Sequence, residues 1–302
     1  MAFSSGAQRD LYYVEETGDF GVTPATPQLT PIRNTDDSLS LTRDSVVSDE
    51  RRGDRGIHDM RLGSKQPGGD IGFEFSYEAF DDFLEAVFMG TWDANILKAG
   101  TTFRSFSIEK AFSDITEYWV FRGSVFNTFN LSLTPNAMIT GSFGILSKDM
   151  DENAATIGDT FAAITTHRPF DAFTGSIEEG GAGIAIVTSL DFTLDNGFER
   201  NFVLMDDTCP QMTSGKSNIT GNTSLYFEND AVFSSFVSEL ESSIEFSILD
   251  DNGKGYTFEF PRIKYTTGDA PVNADGAIVI SMAWQALYDS IAGSNVVITR
   301  IV

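Results

Sequence analysis

The stretch Ser38-Leu-Ser-Leu-Thr-Arg43, followed by Ile71-Gly-Phe-Glu-Phe75 and by residues 77–89, decides the fold class. In the first two segments the residues alternate along the chain, which is typical of strands that bury one face. In the third segment apolar residues recur at helical spacing, which predicts a short helix with one apolar stripe. The stripe consists of Phe80, Phe83, Leu84 and Val87. Ser76 is placed to cap this helix and Gly90 to end it.

Composition supports a mainly β protein. The 302 residues are 41% hydrophobic and include 26 Phe and 27 Gly. The formal net charge of −24 argues against nonspecific binding to the outside of nucleic acid, because such binding needs Lys and Arg to meet phosphates. Cys209 is the only cysteine, so no intrachain disulfide forms. Neither a signal peptide nor a run long enough for a membrane helix is evident, so we expect synthesis in a cytoplasm and no membrane insertion.

The chain divides into four segments by composition. Residues 1–34 contain three prolines and predict an extended arm rather than core. Residues 35–146 read as a strand, a long loop at 49–68, a second strand, the helix and a β-meander. Residues 147–187 are acidic and Gly-rich, which indicates a connecting segment. Residues 188–302 form the last segment.

This last segment repeats the pattern of the second segment in the same order. Residues 188–194 match 37–43, 221–227 match 69–75, 246–248 match 106–108, 256–258 match 118–120, and 278–284 match 139–145. A second apolar stripe consists of Phe233, Phe236, Val237 and Leu240. The ordered series predicts an internal duplication: two tandem β-sandwich or half-barrel domains, each with a flanking short α-helix. Two unrelated β-rich halves are the alternative interpretation.

Catalytic chemistry has little support in the sequence. The two histidines, His58 and His167, lie in different contexts, and no Cys–His set has the spacing of a zinc site. Gly215-Lys-Ser217 lacks the earlier glycine of a P-loop, because Pro210 occupies its place. Paired carboxylates in so acidic a chain favour a solvated surface over acid–base catalysis. We therefore expect no enzyme activity, no cofactor and no metal site.

The loop at residues 49–68 concentrates charges of both signs among glycines. Its charged residues are Asp49, Glu50, Arg51, Arg52, Asp54, Arg55, Asp59, Arg61 and Lys65. One interpretation is a solvated hairpin loop. The other is an arm whose arginines pair with carboxylates of another subunit, because the guanidinium fork binds a carboxylate through two hydrogen bonds. All of these residues except Asp59 are our candidates for contacts between subunits.

Several segments together resemble the major tail tube proteins of long-tailed, non-contractile bacteriophages. They are Glu15-Glu-Thr17, Pro24-Ala-Thr-Pro27, Asp37-Ser-Leu-Ser-Leu41, Ser48-Asp-Glu-Arg51, Asp54-Arg55, Gly69-Asp-Ile71, Phe73-Glu-Phe75, the segment 77–85, Phe170-Asp-Ala-Phe-Thr-Gly175, Val187-Thr-Ser-Leu190 and Leu194-Asp-Asn-Gly197. The resemblance covers most of the chain. Its motifs are structural and carry no catalytic residue.

The resemblance implies a β-sandwich or half-barrel whose inner sheet joins its neighbours into a ring. Such rings stack through loops and terminal arms into the tail of the virion, and DNA passes down the bore. Expected partners are further copies of the chain, the tape measure protein, and the tail terminator and tip proteins. Related tubes with one domain per chain form hexameric rings, so two tandem domains predict a trimeric ring with pseudo-sixfold symmetry. A true hexamer is the alternative.

A bore lined with carboxylates would repel the phosphates of DNA and let the duplex slide. Our candidates for this lining are Glu74, Glu228, Glu245 and Glu259. Alternation along a strand defines two faces and does not identify the wet one. Two other functions stay open on the sequence: a carbohydrate-binding or surface-adhesin β-sandwich, and a glycosidase built on paired carboxylates.

Overall fold

The computed structural model describes residues 3–184, 186–227, 237–269 and 277–302. Over these residues the chain is mainly β, as predicted, with α-helix α1 (Asp81–Val87) and a 3-10 turn at Gly6–Gln8. The strands are β1 (Arg9–Glu15), β2 (Gln28–Pro31), β3 (Asp36–Asp37), β4 (Ser40–Val47), β5 (Met60–Glu74), β6 (Ile96–Lys98), β7 (Phe106–Phe112), β8 (Glu117–Leu133), β9 (Thr140–Leu146), β10 (Asp149–Asn153), β11 (Thr160–Phe161), β12 (Gly175–Glu179), β13 (Ala182–Gly183), β14 (Val187–Asp195), β15 (Glu199–Asn201), β16 (Gln211–Thr213), β17 (Asn218–Tyr226), β18 (Glu241–Leu249), β19 (Gly255–Asp269), β20 (Val279–Ala286) and β21 (Val297–Ile301).

Eight of these strands form one continuous antiparallel sheet, which we call the long sheet. Its order is β4-β5-β9-β8-β14-β17-β20-β19. On β14, Leu190, Phe192 and Leu194 are buried, whereas the alternate residues Asp191 and Asp195 are not. One face of the long sheet is therefore packed and the other is wet. The described strands do not close into a barrel.

Two smaller sheets cover the packed face of the long sheet. One has the order β2-β1-β7-β8-β10 and the other β13-β12-β18-β19-β21-β6. The ring of Phe192 on β14 lies 5.1 to 6.2 Å from the rings of Phe246, Phe258 and Phe260, measured between centroids. The strands β8 and β19 are long enough to belong to both layers.

The helix α1 packs between the layers through the predicted stripe. Phe80, Phe83, Leu84 and Val87 are all buried. The ring of Phe83 lies 4.4 Å from that of Phe126 on β8 and 5.9 Å from that of Phe106 on β7. The helix is shorter than predicted, and its N-cap is Phe80, without a side-chain hydrogen bond. Ser76 does not cap it, because its hydroxyl instead accepts a hydrogen bond from Arg33 at 2.9 Å.

Residues 117–133 form one strand, whereas the alternating runs 116–122 and 124–133 of the β-meander predict two. Gly123 lies between the predicted pair and has a φ of +59°, a conformation that glycine adopts without a steric penalty. A Cβ at this position would stand 2.7 Å from Lys148 and 2.9 Å from Phe20. The bend lets the strand leave one layer and enter the other without ending.

The N-terminal segment is more structured than an extended arm. Strand β1 pairs along its whole length with β7, and Leu11, Tyr13 and Leu29 are buried. Glu16, also buried, accepts hydrogen bonds from Ser105 and from the backbone of Gly123. Pro24 and Pro27 lie in the turn between β1 and β2, and Pro31 is the last residue of β2.

Two other expected loops also contain strands. The connecting segment 147–187 includes β10, which pairs with β8, and β12, which pairs with β18. The expected long loop at 49–68 is a strand from Met60 onward, paired with β4. In both cases the strand segment is polar or Gly-rich and has few buried residues, so alternation of apolar residues is weak.

The order of pairing in residues 9–153, the first unit, recurs in residues 175–301, the second unit. Strand bulges recur as well: between Phe106 and Ile108 on β7 and between Ser242 and Ile244 on β18. Between β8 and β9, Phe126 lies opposite Ile145 immediately before a bulge. Between β19 and β20, Tyr265 lies opposite Trp284 immediately before a bulge. Position n on β8 or β9 therefore corresponds to position n + 139 on β19 or β20.

The predicted second helix cannot be compared in the same way. Phe233 and Phe236 lie outside the described residues. Val237 and Leu240 are described and are exposed.

Candidate assembly surfaces

The two units meet along β8 and β14, a pairing that we call the seam. It runs from Leu190 opposite Leu133 to Asp195 opposite Thr128. Just beyond it, the buried Asn196 side chain donates a hydrogen bond to the carbonyl of Val87 at 2.7 Å. The seam thus joins the units through main-chain pairing and continues the long sheet without interruption.

A buried polar network reinforces the seam in the second layer. The hydroxyl of Tyr256 in the second unit donates a hydrogen bond to Asp81 of α1, at 2.5 Å. Arg300 forms an ion pair with the same carboxylate at 2.7 Å and lies 3.8 Å from the centroid of the Trp92 ring. Burial raises the pKa of Asp81, although Tyr256 and Arg300 act in the opposite direction. Strand β21 completes this contact by pairing with β6.

A hairpin of the second unit clamps the first unit across the seam. This hairpin, β15–β16, follows β14 and lies over the middle of β8 and the end of β9. The backbone N–H of Phe198 donates to the Asn127 side chain at 2.7 Å, and Arg200 donates to the carbonyl of Pro67 at 2.5 Å. Burial lowers the pKa of Arg200. Cys209 and Met212 are buried in a cluster with Phe198 and Val125 of the first unit.

The long sheet has one open edge at each end. Strand β4 pairs only with β5 among the described strands, and residues 265–269 of β19 pair only with β20. Pro67, which lacks an N–H, lies opposite Leu41, so this pair makes no ladder bonds and the N–H of Leu41 points away from β5. Unpaired main-chain groups of this kind are templates for pairing with another chain.

The wet face of the long sheet is acidic. Among the residues whose side chains are described, its carboxylates are Asp36, Asp70, Glu74, Asp191 and Asp195, assigned by their cross-strand partners. Lys264 lies on the same face, opposite Gln285. Partial burial raises the pKa of Asp191. The rest of this face is mostly serine, threonine and asparagine.

The four residues predicted to line a bore do not share a surface. Glu74 lies on the wet face of the long sheet. Glu245 and Glu259 lie opposite each other on β18 and β19, with side chains directed away from the core because their neighbours Phe246 and Phe258 face it. Those two glutamates therefore lie on the far side of the second layer. Glu228 lies outside the described residues.

The charged arm residues are distributed along a hairpin. We call residues 43–66 the arm. Arg52 pairs with Glu50 within the arm at 2.7 Å, Lys65 reaches Asp149 at 2.7 Å, and His58 contacts Asp54 at 2.9 Å. The remaining candidates, Asp49, Arg51, Arg55 and Arg61, form no ion pair with any described residue.

Sequence reasoning missed a buried ion cluster under the open edge. Asp37 on β3 has a fully buried side chain, with Lys110 and Arg9 each at 2.6 Å. The sequence did contain a signal: Asp37 lies two residues before the buried Leu39, and residues two apart in a strand share a face, so Asp37 lies on the packed face. The equivalent residue of the second unit is Leu190 at the seam. Asp37 lies opposite a residue of β5, and Leu190 lies opposite the equivalent residue of β17.

This architecture defines the chain as a structural subunit: a two-layer β protein with an open-edged sheet and a projecting arm. A model of the family described as "Phage tail tube protein" matches residues 6–286. The chain therefore belongs to the phage tail tube protein family, whose members are virion components that assemble into a tube. A search of curated proteins found no match. No described helix is long and apolar enough to cross a membrane.

Proposed function

We propose that the chain is a tandem tail tube subunit whose two units occupy neighbouring positions in one ring. The observation that carries this proposal is the seam, where two units with the same pairing order and the same bulges join edge to edge. The first unit, residues 9–153, adds β1, β2 and β10 to the predicted domain 35–146, and the second unit, residues 175–301, adds β12 and β13 to the predicted domain that begins at 188. The seam is then an internal copy of the contact between chains.

Ring closure uses the two edges that the seam leaves open. At the seam, Leu194 lies opposite Phe129. The corresponding residues at the open edges are Leu41 and Gly268, so β4 of one chain pairs with β19 of the next. Such a head-to-tail interface closes into a ring when its rotation allows. Three chains supply six units and a hexamer would supply twelve, so the trimer matches the six domains of related rings.

A proline in the open edge tests ring closure. Leu41→Pro removes an N–H that the monomer does not use, and proline is tolerated on edge strands in that orientation. We expect the variant to keep its circular dichroism spectrum and to lose ring and tube formation in electron micrographs. Leu41→Ala keeps the N–H and is the matched control. Tubes of normal appearance from Leu41→Pro would contradict closure through β4.

The wet face of the long sheet then lines the bore. Five carboxylates and one lysine give it a net negative charge, which repels the phosphates of the transiting DNA. This assignment keeps Glu74 and moves Glu245 and Glu259 to the outside of the ring. Mechanistically the bore is a conduit: DNA leaves the phage through it without specific binding.

Charge reversal distinguishes the bore from the outer surface. Phages whose tubes carry Asp70→Lys and Glu74→Lys should assemble tails of normal length and eject DNA more slowly, because lysines contact phosphates. The matched control, Glu245→Lys with Glu259→Lys, should eject at the normal rate. The rate is measured by the fluorescence of released DNA. Equal rates for both variants would contradict the placement of the bore.

We propose the remaining roles from the resemblance to tail tube proteins of long-tailed phages. The subunit is made in the host cytoplasm and assembled into the tail of a long-tailed, non-contractile phage. Tape measure protein fills the tube before DNA enters, and terminator and tip proteins close its ends. The charged residues of the arm, including Arg51, Arg52 and Arg55, pair with carboxylates of adjacent subunits in the same or the next ring.

A further inference from the structure

The arm and the β15–β16 hairpin occupy corresponding places in the two units. In the arm, Val47 lies opposite Met60. In the hairpin, Arg200 lies opposite Met212. On the strand that leads into each hairpin, equivalent residues of the two units differ by 153 in number, as residues 47 and 200 do. On the strand that leaves the hairpin they differ by 152, as residues 60 and 212 do. The two hairpins are therefore equivalent in register, although only one of them has a surface to rest on.

The equivalent faces differ in exposure. Met212 is 3% exposed, because it packs onto the first unit across the seam. Met60 is 55% exposed, and Val47 and Leu62 on the same face of the arm are 42% and 58% exposed. A contiguous exposed apolar face on a projecting hairpin marks an interaction site. The arm thus presents, unburied, the face by which its counterpart clamps a neighbouring unit.

From this comparison we propose that the apolar face of the arm, Val47, Met60 and Leu62, packs onto the second unit of an adjacent copy of this chain in the same ring. The proposal rests on the ring proposed above, since it requires β4 of one chain to pair with β19 of the next. The arm then crosses that junction as β15–β16 crosses the seam. In this position the arm holds neighbouring chains of one ring together.

The receiving surface follows from the same correspondence. Met212 packs in one cluster with Val125, and Leu146 packs against that cluster. Their counterparts in the second unit are Lys264 and Gln285, both only half-buried. The aliphatic stem of a lysine covers apolar surface while its ammonium stays in water. Lys264 is therefore suited to receive Met60 without an apolar patch on the free monomer.

An open cleft adjoins this receiving surface. Its volume is about 620 Å³, and its walls include Glu241, Arg262 and the exposed ring of Tyr288. At the corresponding place in the first unit, Glu16 reaches Ser107 and Gly123, so the segment that follows β1 fills the space. The corresponding turn of the second unit, at Gly180, is too short to do so. The cleft leaves room for the arm of a neighbour beside Lys264.

Disulfide trapping tests the contact. In a Cys209→Ser background, Met60→Cys with Lys264→Cys should form intermolecular disulfides on oxidation of assembled tubes. The covalent ladder on non-reducing gels should stop at the number of chains in one ring. The matched control is Val46→Cys with Lys264→Cys, because Val46 lies on the opposite face of the hairpin and should cross-link at least about tenfold less. Circular dichroism confirms that each variant is folded.

The possible outcomes separate this inference from the proposed function. Tubes that form without the 60–264 disulfide overturn the arm contact and leave the ring intact. A ladder that continues past one ring places the arm between stacked rings and also overturns the inference. A ladder that stops at six chains supports the arm contact while contradicting the trimer. Failure of the parent protein to form any ring overturns both proposals.

Discussion

Among single residues, Phe83 of the first unit is surrounded by aromatic rings. Its ring contacts those of Tyr13, Phe106, Phe126 and Phe143, and it is 1% exposed. Replacing a fully buried phenylalanine with alanine leaves a cavity that the surroundings fill only in part. Phe83→Ala should therefore lower the free energy of unfolding by about 3–5 kcal/mol.

Chemical denaturation monitored by circular dichroism measures this loss. Phe173→Ala is the control, because the Phe173 ring is 70% exposed and its removal should change the free energy of unfolding little. A loss for Phe83→Ala no larger than that of the control would contradict the packing of α1 between the two layers.

The sequence predicted such core residues well and buried charges poorly. The helical spacing of Phe80, Phe83, Leu84 and Val87 was sufficient, since an apolar stripe has one stable place in a two-layer fold. The Asp37 cluster could not be found in this way. Arg9 and Lys110 lie 28 and 73 positions away in sequence, and only the tertiary fold brings them to one carboxylate.

Among elements, the strands β12, β18 and β19 carry a ladder of like charges on their outer face. Glu178 lies opposite Glu245, which lies opposite Glu259. Burial raises the pKa of Glu245, and the charges of Glu259 and Glu178 raise it further. The folded state therefore binds this proton more tightly than the unfolded state does. Its stabilising effect is complete below the ordinary carboxyl pKa and is lost as the pH rises through the raised value.

The raised pKa of Glu245 predicts how the melting temperature of Glu245→Gln depends on pH. The variant removes the like-charge repulsion, so its melting temperature should exceed that of the unmodified protein at pH 7.5. Near pH 4, where Glu245 is protonated, the two should agree. Glu152→Gln on β10 is the control, because Glu152 is exposed and has no such ladder. An equal shift at both pH values, measured by differential scanning calorimetry, would contradict the electrostatic cause.

The boundaries of several strands could not be predicted from the alternation of apolar residues. Strands β5, β14 and β17 were predicted because one face of each contains buried residues. Strand β4 was predicted from alternation alone, and none of its residues is buried. Strand β8 was split in two because glycine commonly ends a strand, whereas Gly123 instead bends one. Strands β1 and β10 were assigned to an arm and a connection, since their partners supply more of their stability than their own alternation does.

The strand registers also align the two units differently from the sequence. The sequence matched residues 188–194 with 37–43. The pairing with β5 and β17 instead makes Phe192 the residue equivalent to Leu39, two residues away from the equivalent that the sequence match assigns. A shift of two keeps every side chain on its own face, so the pattern of burial could not reveal it.

At the scale of the whole molecule, the candidate site was only partly accessible to sequence reasoning. The family, the mainly β class and the exposed arm were predicted. The wet face was not, because alternation leaves the two faces of a strand equivalent until the second layer is placed. Glu74 was assigned to the face now proposed for the bore, whereas Glu245 and Glu259 lie on the opposite surface of the molecule.

Reconstruction of the assembled tube by electron cryomicroscopy, without imposed rotational symmetry, tests the account most directly. The expected ring contains three chains, with β4 of each paired antiparallel to β19 of the next and with the acidic face of the long sheet toward the axis. Each chain has a mass of 33.0 kDa, so the ring should weigh about 99 kDa. A ring of six chains, or one in which β4 and β19 stay unpaired, would contradict it.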